Sequence, residues 1–307
     1  MKTPTVDYDI FPDHGSFHVH CAVDKEILDL YRKAKCRRLV IDYRSLKVEK
    51  LAALADAVEV LEIRNDEIAD YEFINAFSKV VDLHTGVRLD KVDLGRFNRL
   101  RSLGVSNQRF DATALVSCKQ LEELVFTGVK LRNSRALREL KKLRVFNLVR
   151  TSGYDLDIFE SLTNLELLGI YNLKSKDCKF LRSCEKLHSL LLALSPEIET
   201  LDGLPSDAIK ELSLRTCKNL RSIEPLKAYA SLEKVILESC PKLESLAPLA
   251  KARKLRLLEL WEQTNVADGK LRALLSNPKL QRFVFKDRKH YDLKMEETRA
   301  MNVTRTK

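Results

Sequence analysis

Hydrophobic positions recur along this chain in one short pattern. The segments "LRSLGVSN" (100–107), "LEELVFTG" (121–128), "LRVFNLVR" (143–150), "LELLGIYN" (165–172), "LHSLLLAL" (187–194), "IKELSLRT" (209–216), "LEKVILES" (232–239) and "LRLLELWE" (255–262) all read as L-x-x-L-x-L, with other apolar residues in place of some leucines. Their first positions fall at 100, 121, 143, 165, 187, 209, 232 and 255, a step of 21 to 23 residues. The phase continues to "LQRFVFKD" at 280 and, more weakly, back to "SKVVDLHT" at 78, "VEVLEIRN" at 58 and "CRRLVIDY" at 36. Self-similarity at such a period marks stacked structural repeats, each burying its apolar face against its neighbours. Within each segment the alternation predicts a strand, with the leucines on one face and the residues between them on the other.

The stretches between these strands bring apolar residues of their own: Leu137 and Leu140; Ile158, Phe159 and Leu162; Phe180 and Leu181. In two later repeats they become "IEPL" (Ile223, Leu226) and "LAPL" (Leu246, Leu249), where proline suits a turn that needs no backbone donor. On these motifs the chain resembles the leucine-rich-repeat family, in the form of about 22 residues per repeat seen in bacterial and phosphatase-regulator-like members. The resemblance implies an α/β fold: a solenoid whose curved parallel β-sheet lines a concave face, with helical or irregular segments on the convex side. It covers nearly the whole chain, so a single domain over 1–307 is expected, with an N-terminal capping repeat (1–35), central repeats (36–279), and a last strand, C-terminal cap and polar tail (280–307). One feature departs from the family. The asparagine that satisfies backbone groups in the turn after each strand is mostly absent, its place taken by Gln108, Val129, Thr151, Ser195, Cys217, Cys240 and Gln263.

Two helices are expected outside the short pattern. "DKEILDLYRKA" (24–34) opens on Asp24 and turns Ile27, Leu30 and Tyr31 inward. "EQTNVADGKLRALLSN" (262–277) is longer than its counterparts and predicts a helix within it.

The three histidines of "HGSFHVHC" (14–21) look at first like metal ligands. Stepping back 22 residues from Cys36 lands on His14, which makes this segment the first strand, with Phe17 and Val19 in the core positions. His18 and His20 then share the outward face and Cys21 points the other way, so the H-x-H-C reading fails on geometry. A second arrangement stays open. The same outward columns continue as Val40, Glu62 and Asp82 beside His18, and as Asp42, Arg64 and His84 beside His20. Strands about 4.8 Å apart would gather these into a patch with the atoms of a metal or acid-base site, or into cross-strand charge pairs such as Asp42 with Arg64.

Other chemistry leaves no signature. The chain has no G-x-S-x-G, P-loop, H-E-x-x-H or C-x-x-C, and its nine glycines are scattered singly. No enzymatic activity, metal or cofactor is therefore expected. Seven cysteines, odd in number and spread along the chain, do not form a secreted disulfide framework, and Cys217 and Cys240, one repeat apart, are expected as buried thiols. The opening "MKTPTVDYDIFPDH" lacks an apolar core for a signal, and the apolar runs, such as "LLLAL" (190–194), are too short to span a bilayer. A cytoplasmic protein without a membrane segment is expected, in which the "NVT" sequon at Asn302 has no role.

Function must then lie on a surface. The outward positions of the middle strands are unusually apolar: Val125, Val145, Asn147, Val149, Leu167, Tyr171 and Leu191. Later ones carry Arg215, Glu238, Glu259, Arg282 and Lys286 among paired charges, and the only tryptophan, Trp261. An apolar strip followed by Trp, Tyr and Arg has the composition of a protein-binding hot spot. The candidate partner-binding set is Val149, Leu167, Tyr171, Leu191, Arg215, Glu238, Glu259, Trp261, Arg282 and Lys286. Its expected partner is another protein with acidic and apolar surface, for which a free-standing repeat domain would act as inhibitor, immunity-type neutraliser or adaptor. Net charge is +10, and Lys35, Arg99, Lys142, Lys186, Lys254 and Lys279 precede the strands as a basic rim. That rim could instead follow nucleic-acid phosphates, although no aromatics interleave with it to stack on bases.

Overall fold

The computed structural model describes residues 8–11, 15–20, 22–42, 47–64, 68, 71–205 and 208–299. His14, Cys21 and the sequon at Asn302 lie outside them. Two compact units divide the chain, Met1–Leu143 with Arg150–Ile158, and Arg144–Val149 with Phe159–Lys307.

In the first unit the strands are β1 (Tyr8–Phe11), β2 (Ser16–Val19), β3 (Arg38–Ile41), β4 (Val60–Ile63), β5 (Asp82–Thr85), β6 (Ser102–Ser106), β7 (Arg109–Asp111), β8 (Glu123–Thr127) and β9 (Lys130–Arg132). From β2 onward the main sheet runs parallel in the order β2-β3-β4-β5-β6-β8, one strand per repeat. The segment 16–19 is the first parallel strand, as its pattern predicts, but it is not the first strand: β1 pairs with it antiparallel. β7 and β9 form a second, two-stranded parallel sheet just beyond the turns.

The second unit contains β10 (Val145–Val149), β11 (Leu167–Tyr171), β12 (Ser189–Ala193), β13 (Glu211–Arg215), β14 (Lys234–Glu238), β15 (Leu257–Trp261) and β16 (Arg282–Val284), paired in parallel in chain order. Two columns of side chains point into its core. Phe146, Leu168, Leu190, Leu212, Val235, Leu258 and Phe283 form one, and Leu148, Ile170, Leu192, Leu214, Leu237 and Leu260 the other. The opposite columns face outward.

Most stretches between strands are short, and short stretches close as 3-10 helices, which need only an i to i+3 bond. In the second unit they include Glu224–Ala228 and Ala247–Lys251, each with proline in its first turn, and they send Leu226 and Leu249 inward. The one α-helix among the described residues, α1 (Lys25–Ala34), begins where predicted. Asp24 accepts a hydrogen bond from the Ile27 N–H at 3.0 Å, and Ile27 and Tyr31 are buried. The helix expected over 262–277 shrinks to a 3-10 turn at Arg272–Ser276. Gly269 breaks the run in a left-handed conformation, φ +62°, where a Cβ would lie 2.2 Å from the His290 carbonyl oxygen.

After each full-length strand the chain turns through a left-handed residue: Asn107, Gly128 and Arg150 in the first unit; Asn172, Leu194, Thr216, Ser239 and Glu262 in the second. The next residue or two replaces the missing asparagine. Gln108 donates to the Val87 carbonyl at 2.7 Å and accepts from the Leu89 N–H at 3.2 Å. Thr151 donates to Phe126 O at 3.1 Å, and Ser195 donates to Ala193 O and accepts from Leu173 N. Cys217 and Cys240 aim their thiols at Leu192 O and Leu214 O. In the last of these turns the role falls to Thr264, which donates to Leu237 O at 2.9 Å and accepts from Cys240 N, while Gln263 is exposed. Any short side chain able to meet a carbonyl suffices here, because an unpaired backbone group in this interior would cost about 1–3 kcal/mol.

Candidate functional site

The outward strand face of the second unit carries nine of the ten candidate residues, and Lys286 follows two residues past its last strand. Parallel register sets its rows: Val145, Leu167, Ser189, Glu211, Lys234, Leu257 and Arg282 form one column. The central column is Asn147, Gly169, Leu191, Ser213, Ile236, Glu259 and Val284. In the third, Tyr171, Ala193, Arg215, Glu238 and Trp261 stand side by side on successive strands. Val149, at the end of β10, precedes Tyr171 in repeat phase.

The apolar members are partly buried: Val149, Leu167, Tyr171 and Leu191 all have intermediate exposure. The strip is interrupted in its centre. A Cβ on Gly169 would lie 2.3 Å from the Asn147 side-chain oxygen, so the Asn147 amide occupies the space over that glycine.

At the other end, Glu259 organises two other candidates. One carboxylate oxygen accepts from the Trp261 indole N–H at 2.9 Å and the other from Arg282 Nε at 2.5 Å. Burial pushes this carboxyl upward, but the hydrogen bonds and charge of Arg282, with the Trp261 N–H, outweigh it and hold Glu259 below the usual carboxylate range. Trp261, 40% exposed, therefore has its ring fixed by its one polar atom while its apolar area meets solvent. Arg215 lies 3.7 Å from Glu238 and donates to Ser213 at 3.2 Å. Lys286, beyond the end of β16, is exposed and has no ion pair among the described residues.

Two outward residues escaped the sequence reading. Ala193 stands beside Tyr171 and Arg215 yet is only 3% exposed, because its larger neighbours cover it. Leu194 is 49% exposed, the largest value among the big hydrophobic residues described, and sits at φ +50°. A bulky residue in this region is unusual. The signal was its position, equivalent to Asn107 and Asn172 in other repeats.

In the first unit the histidine patch is rearranged. The repeat that begins at 78 by pattern begins at Val80, since Val80 and Leu83 are fully buried and β5 pairs Val60 with Asp82 and Glu62 with His84. A slip of two residues leaves every side chain on the same face, so alternation could not detect it. His84, not Asp82, therefore continues the His18, Val40, Glu62 row. The expected Asp42–Arg64 pair is replaced by two others: His20 Nδ1 lies 3.4 Å from Asp42, and Arg64 donates to Glu62 at 2.7 Å. Arg38 reaches the second oxygen of Glu62 at 2.6 Å.

His84 Nε2 lies 2.9 Å from Asp82, and that contact holds the His84 pKa above the ordinary histidine value. The ring lies over Gly104, where a Cβ would come within 2.1 Å of Nδ1. Among the described residues no three His, Cys, Asp or Glu side chains are placed to hold one metal ion. The cluster behaves as a charge network.

The basic positions before the strands are exposed and interleaved with acceptors. Lys142 bonds Gln120 at 2.5 Å and Lys186 bonds Asn164 at 2.6 Å. The neighbouring arginines are paired across strands: Arg37 with Glu59, Arg101 with Glu122, and Arg144 with Glu166.

One strand per repeat, parallel pairing, inward leucine columns and 3-10 segments on the other side define this as a leucine-rich-repeat solenoid. Solved structures agree. The chain is similar to an internalin from Listeria monocytogenes, at 15% identity over 88% of this chain and 76% of that one, with a TM-score of 0.53. It is similar also to a leucine-rich-repeat protein from Leptospira interrogans, at 14% identity over 87% of this chain and 65% of that one, with a TM-score of 0.54. No protein-family model and no curated protein matches it. Among the described residues no helix is long and apolar enough to cross a membrane.

Proposed function

We propose that this protein acts by binding another protein through the outward sheet face of its second unit. The observation that supports it best is the pairing of a partly exposed apolar strip (Val149, Leu167, Tyr171, Leu191) with a tryptophan bonded to Glu259, which Arg282 holds in turn. Aromatic and arginine anchors held before the encounter lose little rotamer entropy on binding, which is where hot-spot energy comes from. Apolar area in the early rows, with Arg215, Arg282 and Lys286 in the later ones, suits a partner with apolar and acidic surface. An inhibitor, an immunity-type neutraliser and an adaptor all act by such binding, a step that rests on analogy of fold.

The test is capture by the tagged protein from nuclease-treated extract of its own source, at physiological and at high salt, with mass spectrometry as readout. One protein retained at both salts, whose affinity falls at least tenfold in Trp261→Ala or Tyr171→Ala while the melting temperature holds, is the expected result. Unchanged affinity in both variants would remove the site from this face. Capture lost at high salt would instead favour the basic rim and an acidic polymer, since such binding falls steeply with ionic strength.

A further inference from the structure

The small sheet of the first unit contains an arrangement that the fold itself does not need. β7 and β9 pair in parallel with Arg109 opposite Lys130, Phe110 opposite Leu131 and Asp111 opposite Arg132. Alternation buries Phe110 and Leu131 and leaves Arg109, Lys130 and Arg132 exposed on the same side. Adjacent strands lie about 4.8 Å apart, so two cations face each other directly with a third two residues along. Like charges opposite one another destabilise a sheet.

The nearby carboxylates relieve this only in part: Asp111, opposite Arg132, feels its charge without forming a contact ion pair. Asp111 is occupied by the Thr113 N–H and hydroxyl, at 3.0 and 2.7 Å, and by the Asn133 amide at 2.8 Å. Asp90 is held by Arg88 at 2.6 Å and by the Tyr71 hydroxyl. Among the described residues, no carboxylate lies within ion-pair distance of Arg109, Lys130 or Arg132.

The second unit treats the same positions differently. Lys130 and Arg132 stand three and five residues past the end of β8, and Lys174 and Lys176 stand three and five past the end of β11. There, Lys174 meets Glu197 at 3.1 Å and Lys176 meets Glu199 at 3.2 Å. The fold can thus supply contact ion pairs at this edge, and among the described residues of the first unit these three cations make none. Beside them opens a cleft of about 480 Å³, bordered by Arg88, Arg109 and Arg132 with Asp90 and Asp111 between them, and floored by Phe110 and Val92; Lys130 stands outside its lining.

We infer that Arg109, Lys130 and Arg132, with Arg88 across the cleft, form a binding site for a small anion carrying linked phosphoryl groups. Guanidinium groups match phosphoryl oxygens in pairs, and a strip of three cations without a contact ion pair fits charge spread over more than one phosphoryl group better than a single monoanion. The site lies in the other unit from the proposed partner face and does not depend on it.

The test is isothermal titration calorimetry of the full chain with inorganic pyrophosphate, at constant ionic strength set by sodium chloride, with orthophosphate and a nucleoside diphosphate as further probes. Saturable binding of pyrophosphate, weaker binding of orthophosphate, and a loss of at least tenfold in Arg109→Gln/Arg132→Gln but not in Lys174→Gln/Lys176→Gln are the expected results. Similar affinity for the nucleoside diphosphate would assign recognition to the phosphoryl groups, and a much tighter one would extend the site to the nucleoside. No saturable heat above the salt control, or equal loss in both double variants, would overturn the site. Lys130→Gln gives an independent readout: without anion its melting temperature should equal or exceed that of the parent, because a repulsion is removed. A fall would show that these cations serve the fold and would overturn the inference too.

Discussion

Replacing Gly104 by alanine tests whether the His84–Asp82 pair is held by the shape of the neighbouring strand. Gly104 sits in β6 with no left-handed requirement, so alanine there would ordinarily stabilise by about 0.4–1 kcal/mol through the unfolded chain. Here the added Cβ would lie 2.1 Å from His84 Nδ1 and 2.8 Å from Cε1. The ring must swing away, and the 2.9 Å contact with Asp82 is lost. Because the side chains are 41% and 30% exposed, solvent screening limits that contact to about 0.2–1 kcal/mol, and an off-rotamer imidazole adds about 0.5–1.5 kcal/mol. The loss outweighs the gain over most of these ranges, so Gly104→Ala alone should destabilise by about 1 kcal/mol and by no more than about 2 kcal/mol. In the His84→Ala background the clash is gone, and the same substitution should stabilise by about 0.4–1 kcal/mol. Thermal melts of the four proteins give the coupling, expected near 1–2 kcal/mol.

An NMR titration of the His84 ring gives a second reading of the same variant. In the parent the hydrogen bond to Asp82 raises the histidine pKa, so its stability contribution is complete below the unfolded value near 6.5 and is lost as pH rises through the folded value. In Gly104→Ala the titration should return toward the unperturbed value and that pH dependence should flatten. Additive melts together with an unmoved His84 titration would refute the reasoning.

Two further predictions follow from burial and backbone geometry. Burial pushes the thiols of Cys118, Cys178 and Cys184 up to about 11, 12 and 12, and Cys36, Cys217 and Cys240 are buried as well. A Cys21→Ser variant should therefore show no fast reaction with Ellman's reagent at pH 8 until it is unfolded, and one rapidly modified thiol in the native state would refute this. Leu194→Asn should raise the melting temperature, equivalent to about 0.5–1 kcal/mol, because asparagine tolerates the left-handed turn and the leucine side chain is half-exposed; a lower melting temperature would show that Leu194 packs more than it strains.

Much of the architecture was legible before any coordinates. A step of 21 to 23 residues and an alternation of period two are enough to place Phe146, Leu168 and Leu190 inside and Leu167, Tyr171 and Trp261 outside, because face follows from parity alone. The departures from the family's asparagine were visible too, and the structure shows Thr151, Cys217 and Cys240 meeting the carbonyl at the same place in the preceding strand, while Gln108 and Ser195 meet other carbonyls nearby. Sequence pattern therefore determined the repeat, the inward and outward sets, and the N-terminal helix cap.

Tertiary structure alone decided which outward residues are neighbours and what they do to each other. Parity cannot distinguish a repeat starting at 78 from one starting at 80, so only the pairing of β4 with β5 put His84 beside Glu62 and freed Asp82 to hold it. Nor does a pattern of apolar positions say which way a carboxylate turns. Glu259 could have faced Lys234 but closes on Trp261 and Arg282, and Asp111 turns to Thr113 and Asn133, leaving Arg109 and Lys130 face to face. Hydrophobic burial is non-directional and can be read from composition along the chain, whereas hydrogen bonds and ion pairs depend on distances of a few ångströms that exist only once the repeats have stacked.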